Sequence, residues 1–432
     1  MSVELAGSML GGSTVVHPVG AVVLVVLIII TLKVPRHYLA IPFLFLMVSI
    51  PSAQRVVVAT LDFDFIKILV LVCLARIYSN KKAYNFHVEK PDTILNYWMF
   101  WSIFSYGILL GGFSGIVSRT GFMITAVGSY YIGRACIRTA EDIKRVTVFI
   151  GLLAIPMVFF FLIERGTGKN IFSIFGGVPD ITLIRNGRLR CQGPFSHPIM
   201  AGVFWASFLP WLGALWFSKT VARYRVAIFI GCVAIIIANT ASSTPVMSVL
   251  FTLLGFYMFT IRDKLPLIRK SIVLILISLH LLMESPVWHL ISRIDISGGS
   301  TGWHRYQLIQ QGINHIGEWW FVGTLSTAHW GHGMIDITNQ YLLEGVRGGL
   351  AAMVLFIIFL FKIFTLIGRA MKVADSKEEL WIYWASGIML FVHMMNFLAV
   401  SYFGQVTSAF FLLLGGVVSV TSNKVRAVKN KL

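Results

Sequence analysis

The chain has 432 residues, of which 57% are hydrophobic and only 12% are charged, with a mean hydropathy of +0.80. Soluble domains carry about a quarter charged residues, so the composition excludes a soluble globular enzyme. It describes an all-α polytopic membrane protein, one membrane domain over residues 1–432. The net charge of +18 reads as a topology signal, and nucleic acid is excluded as a partner because the cations sit in short loops between apolar runs.

The first twenty residues carry no Lys or Arg ahead of the apolar stretch, so the first helix is expected to stay in place and not be cleaved as a leader. About thirteen spans are predicted, near 16–33, 38–51, 63–79, 94–112, 120–137, 144–163, 198–217, 224–241, 244–261, 267–283, 348–368, 380–400 and 404–421. The second is short and has Pro35, Pro42 and Pro51 in and around it. A re-entrant segment there would reduce the count to twelve. Cys73, Cys136 and Cys232 fall in or beside apolar runs and Cys191 stands alone in a loop, so the spacing offers neither a Cys-x-x-Cys metal motif nor a disulfide framework.

Alternate loops collect Lys and Arg: Lys33/Arg36, Arg76–Lys90, Arg134–Arg145, Lys219–Arg225, Arg262–Lys270, Arg369–Lys377, and a tail over 422–432 with Lys424, Arg426, Lys429 and Lys431. The positive-inside bias places these on the cytoplasmic side, with the N-terminus outside and the C-terminus inside. Two long loops, 164–197 and 284–347, are then external. The cations expected outside are nine arginines (55, 119, 165, 185, 188, 190, 293, 305 and 347) against the single Lys169. Choosing Arg over Lys against the charge bias points to planar, bidentate recognition of phosphate or carboxylate.

In the first long loop, Asn186-Gly187 signals a tight turn flanked by Arg185 and Arg188, and Arg190 runs on toward a rigid Gly193-Pro194-Phe195-Ser196-His197-Pro198. Proline at 198 fits a helix start. A loop that only solvates lipid head groups would need no such fixing. In the second loop, Tyr306, Ile309, Ile313 and Ile316 form one stripe at 100° per residue, with His304, Gln307, Gln311, Asn314 and Glu318 opposite. This predicts an amphipathic interfacial helix with Trp319 and Trp320 at the membrane belt and Arg305 on the stripe's margin, read either as a snorkelling side chain or as a cation aimed inward. Further on, His332, Asp336, Asn339, Tyr341, Glu344 and Arg347 offer bases and sugar-binding groups. A metal set of His329, His332 and Asp336 is disfavoured, because its His spacing runs across glycines and no second carboxylate cluster stands nearby. No metal and no cofactor are therefore expected. His393 and Asn396 read as helix-packing residues.

Arg190-x-x-Gly193-x-Phe195-x-His197-Pro198, then Arg305 on a helix, then Thr338-Asn339-x-Tyr341-Leu342 followed by Gly348-Gly349 resembles the O-antigen ligase and polysaccharide polymerase superfamily, over roughly residues 140 to 420. The resemblance implies a multi-helix glycosyltransferase on the outer face of the bacterial inner membrane. It implies a polyprenyl-diphosphate-linked oligosaccharide as donor, a glycan acceptor, inversion at the anomeric centre and no metal. Export or flippase components would be partners. Ligases of that family have a His where Thr338 stands here, so the resemblance favours the polymerase side and an exopolysaccharide product. Arg190 and Arg305 would stabilise the leaving diphosphate. Asp336 would orient or deprotonate the acceptor ahead of His332 and Glu344, and Arg185, Arg188, His197, Asn339, Tyr341 and Arg347 would bind substrate.

The opposing class is a transporter or flippase of a lipid-linked glycan or another anionic substrate, for which Lys67 would be an intramembrane charge. Such a protein should have internal repeats and paired broken helices. No repeat is visible, and the polar constellations cluster in the two long loops. Reporter fusions in loops 164–197, 218–223 and 284–347 and in the tail should give outside, inside, outside and inside; a cytoplasmic 284–347 would remove both the topology and the catalytic reading.

Overall fold

The structure, a computed structural model, describes residues 13–59, 61–84, 86–293 and 301–430. The first twelve residues, part of the 284–347 loop (294–300) and Lys431, all drawn on above, lie outside the described residues. The fold is mostly helical (74%), and every predicted span coincides with helix. In chain order these are α1 (Pro18–Lys33), α2 (Ala40–Ser49), α3 (Phe65–Ser79), α4 (Lys90–Leu109), α5 (Phe113–Cys136), α6 (Ala140–Thr167), α7 (Pro198–Ser207) continued by α8 (Leu209–Leu215), α9 (Arg223–Asn239), α10 (Ser243–Met258) and α11 (Leu265–Leu282). The second loop carries α12 (Thr301–Asn314) and the single turn α13 (Ile316–Trp319), before α14 (Gln340–Lys372), α15 (Lys377–Asn396) and α16 (Gln405–Lys429). Among the described residues, five stretches are long and apolar enough to cross a bilayer: 140–167, 198–215, 243–282, 340–372 and 405–429. The chain is a multi-pass membrane protein.

Among the described residues, two hairpins add to the helices. Strand β1 (Arg55–Val58) pairs antiparallel with β2 (Leu61–Asp64), and β3 (Leu183–Arg185) with β4 (Arg188–Arg190). The second is the turn that Asn186-Gly187 announced: both residues take positive φ, 51° and 70°, as a two-residue hairpin of matching twist requires.

The alternation of loops is visible in what touches what. Arg36 donates to the Cys136 carbonyl and lies 3.7 Å from Asp142. Arg76 donates to the carbonyls of Thr31 and Val34, Lys144 pairs with Glu141 and Glu378, Lys424 with Asp375 and Glu379, and Arg426 with Glu89. One end of the bundle therefore gathers the cation-rich turns. At the other, the His17 N–H bonds Gln54 Oε1 and the Gln54 amide bonds the Phe175 carbonyl, while Cys191 N–H bonds Asn239 O and Gln340 N–H bonds Phe397 O. Because His17 opens α1 and Gln54 follows α2, α2 returns the chain to the end where α1 began. The re-entrant alternative is thereby excluded, despite the ten-residue length of α2.

At the centre, α5 packs on α16 through glycines. A Cβ on Gly133 would stand 2.0 Å from Leu412 O, and one on Gly415 2.0 Å from Tyr130 O, so only bare backbone lets the helices approach this closely, as in membrane bundles generally. The most apolar window of α16 is wholly buried, whereas no residue in that of the 243–282 stretch is buried. The exposed side chains there and on α1, such as Leu253, Leu274, Val22 and Val25, suit a lipid surround. Near the cation-rich end Arg134 holds Asp92 bidentately, Nε to Oδ1 at 3.0 Å and Nη2 to Oδ2 at 2.9 Å, with Tyr130 OH donating to the same carboxylate. A buried pair satisfied this fully costs several kcal/mol to break by removing one partner.

Gly415→Val should lower the melting temperature of the detergent-solubilised protein or prevent its recovery, at a cost beyond the ~1–3 kcal/mol of ordinary overpacking, because the clash is with backbone. Gly231, whose added Cβ would meet nothing within 4 Å, should accept Ala unchanged. Equal melting of the two variants would remove the glycine contact from the account of the core.

Candidate functional site

The segment from Arg190 to His197 is pinned by side chains that sequence reading passed over. Glu164, in the last turn of α6, is buried and accepts from Gln192 N–H (3.0 Å), Gly193 N–H (2.9 Å) and the Thr182 hydroxyl (3.2 Å). Asn170 Nδ2 donates to Gly193 O at 2.8 Å, Gln192 Nε2 to Phe195 O at 2.7 Å, and Gln405, opening α16, to Pro194 O at 2.9 Å. Gly193 has φ +55°, and a Cβ there would sit 2.8 Å from the Phe161 ring, which explains why glycine stands at that position. Every polar group of a loop carried inward must find such a partner. The one sequence signal for Glu164 was an acid at the end of an otherwise apolar span.

This clamp sets two functional side chains. Arg190 is buried, and its Nη2 donates to Ser242 Oγ at 2.7 Å, the serine passing its own proton to Thr240 O. Nε of Arg190 is buried with no hydrogen-bond partner, and no carboxylate pairs with the guanidinium among the described residues. Burial, and then the nearby Arg185, lower its pKa. His197 caps α7, its Nδ1 accepting from Ile199 N–H at 3.1 Å, which leaves Nε2 as the protonated nitrogen of the neutral ring. Burial first, then Arg190 and Arg185, hold its pKa down to about 4. Arg185 and Arg188 are exposed across the hairpin from one another. Four of the predicted residues thus share one neighbourhood.

A second neighbourhood surrounds α12. Leu308 is fully buried and Gly312 packs on Leu342 of α14, while Ile313 and Ile316 are exposed. Arg305, Leu308 and Gly312 lie on one helical face, so Arg305 shares the face turned to the protein, and the predicted stripe faces outward at Ile313 and Ile316. Asp336 lies close enough to act on His304, whose pKa is lowered by burial first, with Asp336 opposing and Arg305 adding to that effect. Asp336 and His332 are both exposed.

The third group departs from expectation. Helix α14 begins at Gln340, eight residues before the predicted span, and breaks at Gly349 (φ 72°); Tyr341, Glu344 and Arg347 are on helix and not in an open loop. Asn339 spends its side chain capping that helix, accepting from Leu342 N–H at 3.0 Å. Tyr341 OH donates to Met394 O at 2.9 Å. Glu344 is buried, accepts from Trp98 Nε1 and Gln340 Nε2, and pairs with buried Arg119 at 3.5 Å. The fold uses these groups internally, which removes Glu344 as a candidate base. Arg119 was visible in sequence only as one more external arginine. His393 bonds Tyr402 OH at 2.8 Å and Asn396 accepts from Ser248, both buried in packing, as expected.

A cavity of about 560 Å³ opens between the first hairpin, α5 and the start of α16, with Phe113, Ile116 and Phe122 on its apolar wall and Asp62, Asp64 and Lys67 on its polar one. Gly404, one of its lining residues, abuts Ser196 of the clamped loop. Lys67 lies in the first turn of α3, its Nζ donating to Asp62 O at 2.6 Å and pairing with Asp64 at 3.5 Å. It belongs to the bundle's end and not to mid-membrane depth. His329, His332 and Asp336 do not assemble as a ligand set; His329 instead meets His315 and Glu318.

Compared with known proteins, the chain matches no family model and no curated protein.

Because His197 has an unfolded-state pKa of 6.5 and a folded-state value of about 4, the unfolded chain binds the extra proton between those limits. Its contribution to stability is full above pH 6.5 and is lost as pH falls toward 4. Melting temperature should fall over that window, and His197→Asn, which keeps a capping acceptor but cannot titrate, should flatten the decline. An unchanged slope would mean that His197 is protonated in the folded protein.

Proposed function

We propose that this chain is a glycosyltransferase of the bacterial inner membrane, working on its outer face to polymerise, or ligate, oligosaccharide units carried on polyprenyl diphosphate. The observation that carries the reading is Arg190: a buried guanidinium with one unpaired N–H, fixed in a stapled loop and provided with no carboxylate among the described residues. A buried cation left this way is a site for an anion brought from outside. A diphosphate fits the bidentate fork, and the exposed Arg185 and Arg188 on the adjoining hairpin suit its approach.

In the transfer, an acceptor hydroxyl oxygen attacks the anomeric carbon of the donor sugar and the bond to the diphosphate breaks. The electron pair leaves on the diphosphate, whose growing charge Arg190 and Arg305 offset. Asp336, beside His304 and on the same loop as His332, takes the hydroxyl proton. Neutral His197 offers Nε2–H to the diphosphate or sugar, and Arg347 lies near enough to the buried Arg119–Glu344 pair to act on it electrostatically. The apolar wall of the cavity beside Ser196 suits a prenyl chain.

Arg190→Lys keeps the charge but loses the fork. It should leave the amount of protein in the membrane unchanged and lower polymer formation by about 100-fold, with single lipid-linked units accumulating in its place. Wild-type polymer from that variant would return Arg190 to a lipid head-group contact and overturn the reading.

A further inference from the structure

The second long loop carries a cluster that the glycan-transfer reading does not use. The imidazole of His315 and the carboxylate of Glu318 stand three residues apart at the α12–α13 junction, with His315 Nδ1 and Glu318 Oε1 2.7 Å apart. From a separate segment, the 3-10 turn Ala328–Trp330, His329 Nε2 reaches Glu318 Oε2 at 2.8 Å. The three ligand atoms lie within 4.8 Å of one another. We propose that His315, Glu318 and His329 bind one divalent cation of the zinc class, which cross-links the two halves of this loop.

The chemistry of the donors selects the ion. Two imidazole nitrogens and one carboxylate oxygen suit zinc, nickel or cobalt, whereas magnesium and calcium take oxygen ligands. Zinc sits about 2.0–2.2 Å from such atoms, which puts tetrahedral ligand atoms roughly 3.3 Å apart, so the present N–O separations need to widen by about half an ångström. Each ring must present a lone pair where it now shares a proton with Glu318, and a neutral imidazole does this by changing tautomer, with no net loss of a proton. Glu318 already faces both rings, one through each carboxylate oxygen, and Trp330 Nε1 holds Oε2 in place. With side chains 28%, 38% and 53% exposed for His315, Glu318 and His329, water can fill the remaining position.

The supports around the ligands are built in. Trp330 is buried in the small core with Leu308, Trp319 and Met334, donates Nε1 to Glu318 Oε2 at 3.0 Å, and stacks on the His315 ring at 5.2 Å with planes 10° apart. Thr327 Oγ1 donates to Met334 O at 2.5 Å and fixes the turn that presents His329. Hydrogen bonds alone among exposed groups add little stability in water, so an ion gives this convergence a larger return. The site shares no residue with the Arg190 loop and does not depend on the glycan-transfer reading.

The experiment is zinc titration of tag-free, metal-stripped full-length protein in detergent, read by elemental analysis after desalting and by melting temperature. Wild type should retain about one zinc per chain and melt higher with zinc than without, with no response to magnesium. His329→Ala and Glu318→Gln should lose both the zinc and the shift; the Gln variant keeps an acceptor for Trp330 and so should still fold. Trp330→Phe, which removes the supporting N–H, should weaken binding about 10- to 100-fold. Cooperatively melting wild type that takes up no zinc, or variants that hold it as wild type does, would overturn the proposal.

Discussion

The close approach of α5 and α16 is the constraint on which the bundle depends. A helix buried on all sides in a lipid-embedded protein gains little from hydrophobic burial against its neighbours, since the lipid outside is equally apolar, and it must gain from contact. Gly133 and Gly415 permit that contact, with space for no Cβ on either, and Ser419 Oγ adds a bond to Arg134 O at 2.7 Å. With α16 fixed, its first residue Gln405 meets Pro194, and the preceding Tyr402 N–H meets Gln340 Oε1 at 2.8 Å. The central helix thus ties the clamped loop to the start of α14.

A division of labour between the ends of the bundle follows. At the cation-rich end, charges are consumed in pairs and carbonyl contacts that close the turns, as Arg134 with Asp92 and Lys144 with Glu378 illustrate. At the loop-rich end, carboxylates are diverted to backbone or to single arginines. Glu164 serves two N–H groups and a hydroxyl, and Glu344 serves Trp98, Gln340 and Arg119. Arg190 is left with a serine. That imbalance, more than the number of arginines, gives the loop-rich end its capacity for an anion.

The order of the spans and the position of Arg190 were legible in the sequence because each rests on a local rule. Apolar runs of bilayer length form helices wherever they occur. Basic turns alternate because insertion is biased by charge, and Asn186-Gly187 dictates a two-residue hairpin. The shortness of α2 misled only as far as its neighbours were unknown: the bond from His17 to Gln54, two residues far apart in the chain, decides that it returns the chain to its starting end.

What only the tertiary structure decided was the use of each polar group. Along the chain Asn339, Tyr341 and Glu344 read as groups available at a membrane edge, but their partners, Leu342, Met394 and Trp98, come from the start of α14 and from two other helices. It disfavoured a ligand set of His329, His332 and Asp336, three residues close in sequence, while the groups that His329 meets lie 11 and 14 positions before it. Composition and periodicity act along the chain and so fix which segments are helix and which are loop. Whether a carboxylate is a base, a cap or a clamp depends on distances across the bundle, which no local pattern encodes.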